Sequence, residues 1–264
     1  EAYTPWEWHK PIMEHANKLG MICFSSPFDD TAVDFLEELN VPAYKIASFE
    51  NSHLPLLKKV AETGKPLIIS TGMASLSQLD ETINAIKSYG CSEFMLLKCT
   101  SSYPSTPKNS NILTIPNMRN IFNCEIGLSD HTMGIGAAIA AVSHGATAIE
   151  KHFTINRKDE GVDSSFSLEP VELKSLVIES NRAWESLGKI NYGPTDSEKS
   201  SLVFRRSIYA SKNINEGESF NKNNLRIVRP GLGLEPKYYE ILLGRKASKD
   251  IVKGTAIRWG SIKK

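Results

Sequence analysis

Cysteine is scarce and spaced for neither of its usual tasks. The four present, Cys23, Cys91, Cys99 and Cys124, include no CxxC pair, which removes zinc-ribbon and thioredoxin-like readings. Three of them fall in or at the ends of apolar runs, where a thiol acts as a small buried hydrophobe in a reducing compartment. No run of 18 apolar residues occurs, so nothing predicts a membrane-spanning helix, and the N-terminus does not read as a secretory signal. Neither charge sign dominates: 31 basic against 30 acidic residues give a net +1. With no long basic run either, no electrostatic footprint for nucleic acid or anionic lipid is visible, and a cytoplasmic location is expected. An initiator methionine is also missing. A chain beginning at Glu1 is expected to have lost whatever preceded it.

What is present is an ordinary globular composition, 41% hydrophobic over 264 residues, enough to bury one large core and a small second one. Six apolar, strand-like runs can be read at 21–26, 44–48, 67–71, 94–99, 125–129 and 148–153. Amphipathic segments with helical spacing separate them at 31–39, 53–63, 77–88 and 136–145, another follows at 170–187, and a helix-like segment at 5–20 precedes the first run. Such alternation predicts a parallel sheet covered by helices. A closed (β/α)8 barrel needs eight strands, so the expectation is an α/β TIM-type barrel lacking its first two strands in this chain. An open six-stranded doubly wound sheet accounts for the same count.

The texture changes after Leu187. Residues 191–203 are polar and rich in turn formers, and read as a linker between a barrel domain at 1–190 and a small module at 204–264. The module contains an internal repeat, ASKNINEGESF at 210–220 and ASKDIVKGTAI at 247–257, as two related hairpin-like units would. A module of about 60 residues is marginal alone, so it is expected to dock on a barrel, its own or a partner's.

The chemistry collects at the carboxyl ends of the predicted strands, where the loops of such a fold converge on one cleft. His131 ends one strand run and His152 the next. Two neutral imidazoles converging from adjacent strands suit zinc, manganese, iron or cobalt; the alternative is that each packs or caps on its own. Ser26, Lys45 with Ser48, Ser70 with Thr71, Lys98 with Thr100 and Ser101, and Ser129 close five successive runs. A row of hydroxyls and lysines predicts a cradle for phosphate or carboxylate. Lys45, inside an apolar run, must find an anion or shift its pKa. Acidic candidates are Glu50, Asp130, Glu150 and Asp163. HTMGIG lacks the GxGxxG spacing and reads as a helix start that needs close packing. Trp6 and Trp8 of YTPWEWH read as wall, core or interface residues.

The motifs YTPWEWH, SSPFD, YKIAS, PLIISTGMAS, SDHTMG, EKHFT, RRSIYA, RPGLG and KGTAI follow one another along the chain. In that order the sequence resembles the sialic acid synthase family, which condenses phosphoenolpyruvate with an N-acetylated sugar aldehyde. YTPWEWH and RPGLGLEPKYYEILLGRKA are most similar to its pseudaminic acid synthases. The resemblance implies a TIM barrel followed by an antifreeze-like (SAF) domain, and a domain-swapped homodimer. It assigns His131 and His152 to a divalent metal, manganese first and magnesium or cobalt otherwise. Ser26, Lys45, Ser48, Ser70 and Ser129 would surround phosphoenolpyruvate; Ser101 stands where the family commonly has asparagine. Glu50, Tyr103 and Asp163 match sugar-side positions, Glu50 or Asp163 as proton relays, and Arg229 matches an arginine that the SAF domain presents to the partner's site. A catalytic glutamate and a further lysine of the family's first two strands have no counterpart in this sequence. The implied reaction joins phosphoenolpyruvate to a 2,4-diacetamido-2,4,6-trideoxy hexose, with carbon–oxygen cleavage and release of phosphate. The alternatives are an N-acetylneuraminate or legionaminate synthase using N-acetylmannosamine or a related sugar, and, in another class, a non-catalytic barrel fragment.

Overall fold

The computed structural model describes residues 4–263; Tyr3 of the YTPWEWH motif lies outside them. Two compact units divide at Gly188 and Lys189.

The N-terminal unit is built on five parallel strands, β1 (Tyr44–Ile46), β2 (Leu67–Ser70), β3 (Phe94–Cys99), β4 (Glu125–Asp130) and β5 (Ile149–Lys151). They pair in strict chain order, β1-β2-β3-β4-β5. A doubly wound sheet reverses its order at a switch point; none occurs among the described strands, so the unit is wound one way, as a barrel is. The sheet is also strongly curled. Its first and last strands are four inter-strand steps apart, about 19 Å in a flat sheet, yet Lys45 of β1 lies 3.5 Å from Glu150 of β5. The result is a half-barrel with a lumen.

Helices α1 (Trp6–Lys18), α2 (Asp30–Glu38), α3 (Leu54–Ala61), α4 (Leu76–Ser88), α5 (Thr114–Phe122), α6 (Gly136–Ser143) and α7 (Pro170–Leu187) precede, connect and follow these strands. Local chemistry fixes several of their ends. Asp29 caps α2 by accepting from the Ala32 N–H at 2.9 Å, and Ser75 with Gln78 forms a capping box on α4, each partnering amides the helix leaves free. The core lies between sheet and helices, with Leu36, Ile46, Leu56, Leu57, Ile69, Ile86, Leu96 and Ile115 essentially inaccessible.

The expected strand at 21–26 is reduced to one bridge, Ser25 with Tyr44. Helix α5 has no counterpart in the strand–helix reading, because Pro116 interrupts its apolar pattern. That proline stands in the first turn, where its missing N–H costs nothing. In HTMGIG the need is conformational, not steric: Gly134 has φ +73°, and a Cβ there or at Gly136 would meet nothing within 4 Å. A close-packed glycine stands instead on β4, Gly127, whose Cβ would lie 2.6 Å from the Ala148 carbonyl.

The C-terminal unit has its own core, centred on Ile208, Phe220, Leu225, Leu242 and Ile257. Antiparallel strands β6 (Ser207–Ala210) and β7 (Leu225–Val228) form its regular sheet. The two repeat copies are not separate hairpins. They pair with each other, Ile214 and Ile251 exchanging both backbone hydrogen bonds, because each copy alone leaves its strand edge open. The expected linker is structured in part: Asp196–Phe204 is a 3-10 helix. No helix among the described residues is long and apolar enough to cross a membrane.

Candidate active site

Strand alternation sends every second side chain of the half-barrel into its lumen, and the carboxyl ends of the strands surround a cavity of about 580 Å³. Ser26, Lys45, Ser48, Glu50, Ser70, Tyr103, Ser129, His131, His152 and Asp163 all line it, together with Phe28, Phe49, Cys99 and Glu150. Ten of the twelve site residues expected from sequence therefore meet in one place. Ser101 stands behind the wall and donates to Ser48 Oγ at 2.7 Å. Arg229 follows β7 in the C-terminal unit.

One side of the cavity gathers Lys45 with the strand-end serines. Lys45, with its side chain about one-tenth exposed, donates to Ser70 Oγ at 2.8 Å and faces Glu150 Oε2 at 3.5 Å. Glu150 in turn accepts from Ser129 Oγ at 2.6 Å. The buried lysine is thus paired, as its apolar run requires, and its serines add further polar atoms at the strand ends. Lys98 and Thr71, expected in the same group, do not join it. Alternation puts Cys99 toward the cavity and turns Lys98 away, where its ammonium donates to Thr100 Oγ1 at 2.8 Å. Thr71 Oγ1 instead accepts from the Cys99 amide at 3.2 Å.

The other side carries the histidines, each the residue directly after its strand. Their ring centroids lie 5.2 Å apart. His131 Nδ1 is 2.8 Å from the Thr100 carbonyl; a carbonyl only accepts, so Nδ1 bears the proton, and in the neutral ring Nε2 keeps its lone pair. Burial presses His131 toward neutrality, but hydrogen bonds to Cys99 and Thr100 raise its pKa on balance. Burial and the neighbouring His131 lower that of His152, whose Nδ1 is 3.4 Å from Asp163 Oδ2. Tyr103 packs at a tilt against His131 with centroids 4.2 Å apart, and the buried Phe166 closes on His152 at 5.0 Å. The loop bearing Asp163 and Phe166 is tied back by Leu168, whose amide donates to the His152 carbonyl at 2.8 Å.

Does this donor set fit a metal? Imidazoles spaced this way can share one ion at about 2 Å from each ring nitrogen. Among the described residues no cluster of three metal-ligating side chains is found. Two protein ligands suit a cation that leaves several positions for oxygen donors from water or substrate, manganese or magnesium more than structural zinc. The residues fit such an ion.

Glu50 shows a different kind of incompleteness: its Oε2 is buried without a hydrogen-bond partner. A carboxylate oxygen in that condition is costly unless something polar meets it. Sequence reading named Glu150 only as an acidic candidate and gave Cys99 no site role. Their signal was the period-two alternation of β3 and β5, which puts both in the lumen.

Residues 1–192 match the NeuB family, and residues 205–263 match the SAF domain. The chain belongs to the NeuB family. Relatives of this NeuB chain include the pseudaminic acid synthase of Campylobacter jejuni, 42% identical over 98% of this chain and 76% of that protein. The N,N'-diacetyllegionaminic acid synthase of the same species is 38% identical over 95% and 76%. Among solved structures, the N-acetylneuraminic acid synthetase of Leptospira borgpetersenii, in complex with citrate, superimposes with a TM-score of 0.71. It is 34% identical over 75% of this chain and 70% of that one. The half-barrel and the small β-rich unit are thus the NeuB and SAF parts of one family architecture.

Proposed function

We propose that this NeuB chain condenses phosphoenolpyruvate with a 2,4-diacetamido-2,4,6-trideoxy hexose to give pseudaminic acid and phosphate. The observation that carries the proposal is the two-sided cavity, an anion cradle facing a histidine pair within one lumen. Similarity to synthases of pseudaminic acid supports the choice of product.

In this reading Lys45, Ser70, Ser129, Ser48 and Ser26 hold the phosphate and carboxylate of phosphoenolpyruvate, so that Lys45 meets an added anion besides Glu150. Fixing both reactants in one lumen supplies orientation, and the cradle supplies electrostatic stabilisation. The vinyl carbon of phosphoenolpyruvate forms the new bond to the sugar's aldehyde carbon. The adjacent carbon, now electron-poor, takes up water, and its bond to the phosphate oxygen breaks. A divalent cation at His131 and His152, manganese first, would act as a Lewis acid on the aldehyde oxygen, where negative charge develops. His131 keeps Nε2 available because Thr100 holds its proton on Nδ1. Glu50, with its unpartnered buried oxygen, and Asp163, beside His152, relay protons. Phe28, Phe49 and Tyr103 give the rim an apolar side that suits a deoxy sugar's methyl and acetyl groups. A homodimer that brings Arg229 to the partner's cavity is part of the same proposal.

Phosphate release assayed with each sugar tests the reading. Turnover with the diacetamido-trideoxy hexose and little with N-acetylmannosamine is expected. Turnover with N-acetylmannosamine alone would overturn the product assignment, and preference for the legionaminic precursor would favour the second relative's reaction. Absence of turnover with every sugar would favour the non-catalytic alternative.

A further inference from the structure

Directly before His131 and His152 stand Asp130 and Lys151, opposite one another on the last rung of the β4–β5 ladder. Ser129 and Glu150, one rung earlier, point into the lumen, so Asp130 and Lys151 point out of it. They meet there as an ion pair, Lys151 Nζ to Asp130 Oδ2 at 2.8 Å, with side chains only 3% and 2% exposed. Both ends of the pair also grip the backbone just beyond His131. Asp130 Oδ1 accepts from the Thr132 amide at 2.9 Å, and Lys151 Nζ donates to the Thr132 carbonyl. Beyond this rung the two chains part into loops. The pair therefore closes the three-residue ladder at its histidine end.

Stability alone does not explain such a pair, since desolvation consumes most of the Coulomb gain and apolar residues of similar volume often serve as well. What apolar packing cannot supply is a directional bond of fixed length between two strands. We propose that Asp130 and Lys151 are positioning residues: their bond sets the spacing at which His131 and His152 hold a divalent cation. The inference rests on the metal reading of the histidine pair given above.

Free Mn2+ counted by electron paramagnetic resonance, beside thermal melting, tests it in the full chain. Wild type should bind Mn2+ far more tightly than His131→Ala; equal binding would overturn the metal reading itself. Asp130→Asn and Lys151→Met each leave a buried partner unpaired and are expected to lower the melting temperature as well as Mn2+ affinity. The double variant D130N/K151M leaves no uncompensated charge. It is expected to fold and still bind Mn2+ about 10–100-fold more weakly, the usual loss when the support of a ligating histidine is removed. Lys151→Arg keeps the charge and changes the bond geometry, and an intermediate loss is expected. A folded double variant or Lys151→Arg with wild-type Mn2+ affinity, whatever its melting temperature, would show the pair to be structural only and overturn the inference.

Discussion

Lys45 shows how a single buried charge is made useful. Its partners, Ser70 at 2.8 Å and Glu150 at 3.5 Å, come from other strands, so the fold itself holds the ammonium in place. Lys45→Met should raise the KM for phosphoenolpyruvate by roughly 10–100-fold, the worth of one or two charge-assisted hydrogen bonds, with the circular dichroism spectrum unchanged. Steady-state kinetics checks this; an unchanged KM would remove Lys45 from the cradle. A second residue acts through what it lacks. Gly72 follows β2 with φ +49°, and a Cβ there would lie 2.6 Å from Ser48 Cβ and 2.8 Å from Ser101 Oγ. Gly72→Ala is expected to cost ~1–3 kcal/mol from left-handed strain and overpacking, read by urea unfolding, and to displace Ser48 in the cavity wall. Sequence showed Ser48 and Ser101 as strand-end hydroxyls, but not that they bond each other across 53 residues of chain.

At the scale of elements, α2, β1 and the turn before β2 are pinned by one cluster. The fully buried Tyr44 donates to Glu37 Oε1 at 2.6 Å, and Lys65 donates to the same oxygen at 2.7 Å. Partial burial pushes the Glu37 pKa up, but the Lys65 and Tyr44 hydrogen bonds outweigh it and leave the carboxyl below its ordinary value. A depressed carboxylate pKa stabilises the fold above the unfolded-state value of about 4.3, and that stability is lost as pH falls through the folded value. Tyr44→Phe should therefore cost about 1–2 kcal/mol at pH 7, and less once the pH has fallen through the depressed folded value, where Glu37 is protonated in both proteins. Urea midpoints at the two pH values check the sign. Elements with strong periodicity, such as α7 at Pro170–Leu187, were legible residue by residue. Helix α5 and the lone bridge of residues 21–26 were not, because a first-turn proline masks a helix and the extent of a ladder depends on a partner distant in sequence.

For the molecule as a whole, two separate cores predict two unfolding events. Calorimetry should resolve them, since each unit melts around its own core. Phe220→Ala, at 1% exposure in the C-terminal core, should lower one transition by about 3–5 kcal/mol of local stability and leave the other in place; a common shift of both would contradict independent cores. The division also recasts the charge. The net +1 is the sum of a unit with 15 basic and 23 acidic residues, net −8, and one with 16 basic and 7 acidic residues, net +9. Composition averaged over the chain concealed this polarity, because net charge carries no position.

By itself the sequence determined the strand–helix alternation, the two-part organisation and the residues at the strand ends, since period, turn chemistry and motif order are local properties of the chain. Only the tertiary structure decided that the sheet curls until Lys45 meets Glu150, that Cys99 and not Lys98 faces the lumen, and that Asp130 and Lys151 lock the rung beneath the two histidines. Those facts depend on inter-strand register and on curvature. Both arise from pairing between residues distant in sequence, which no local pattern records.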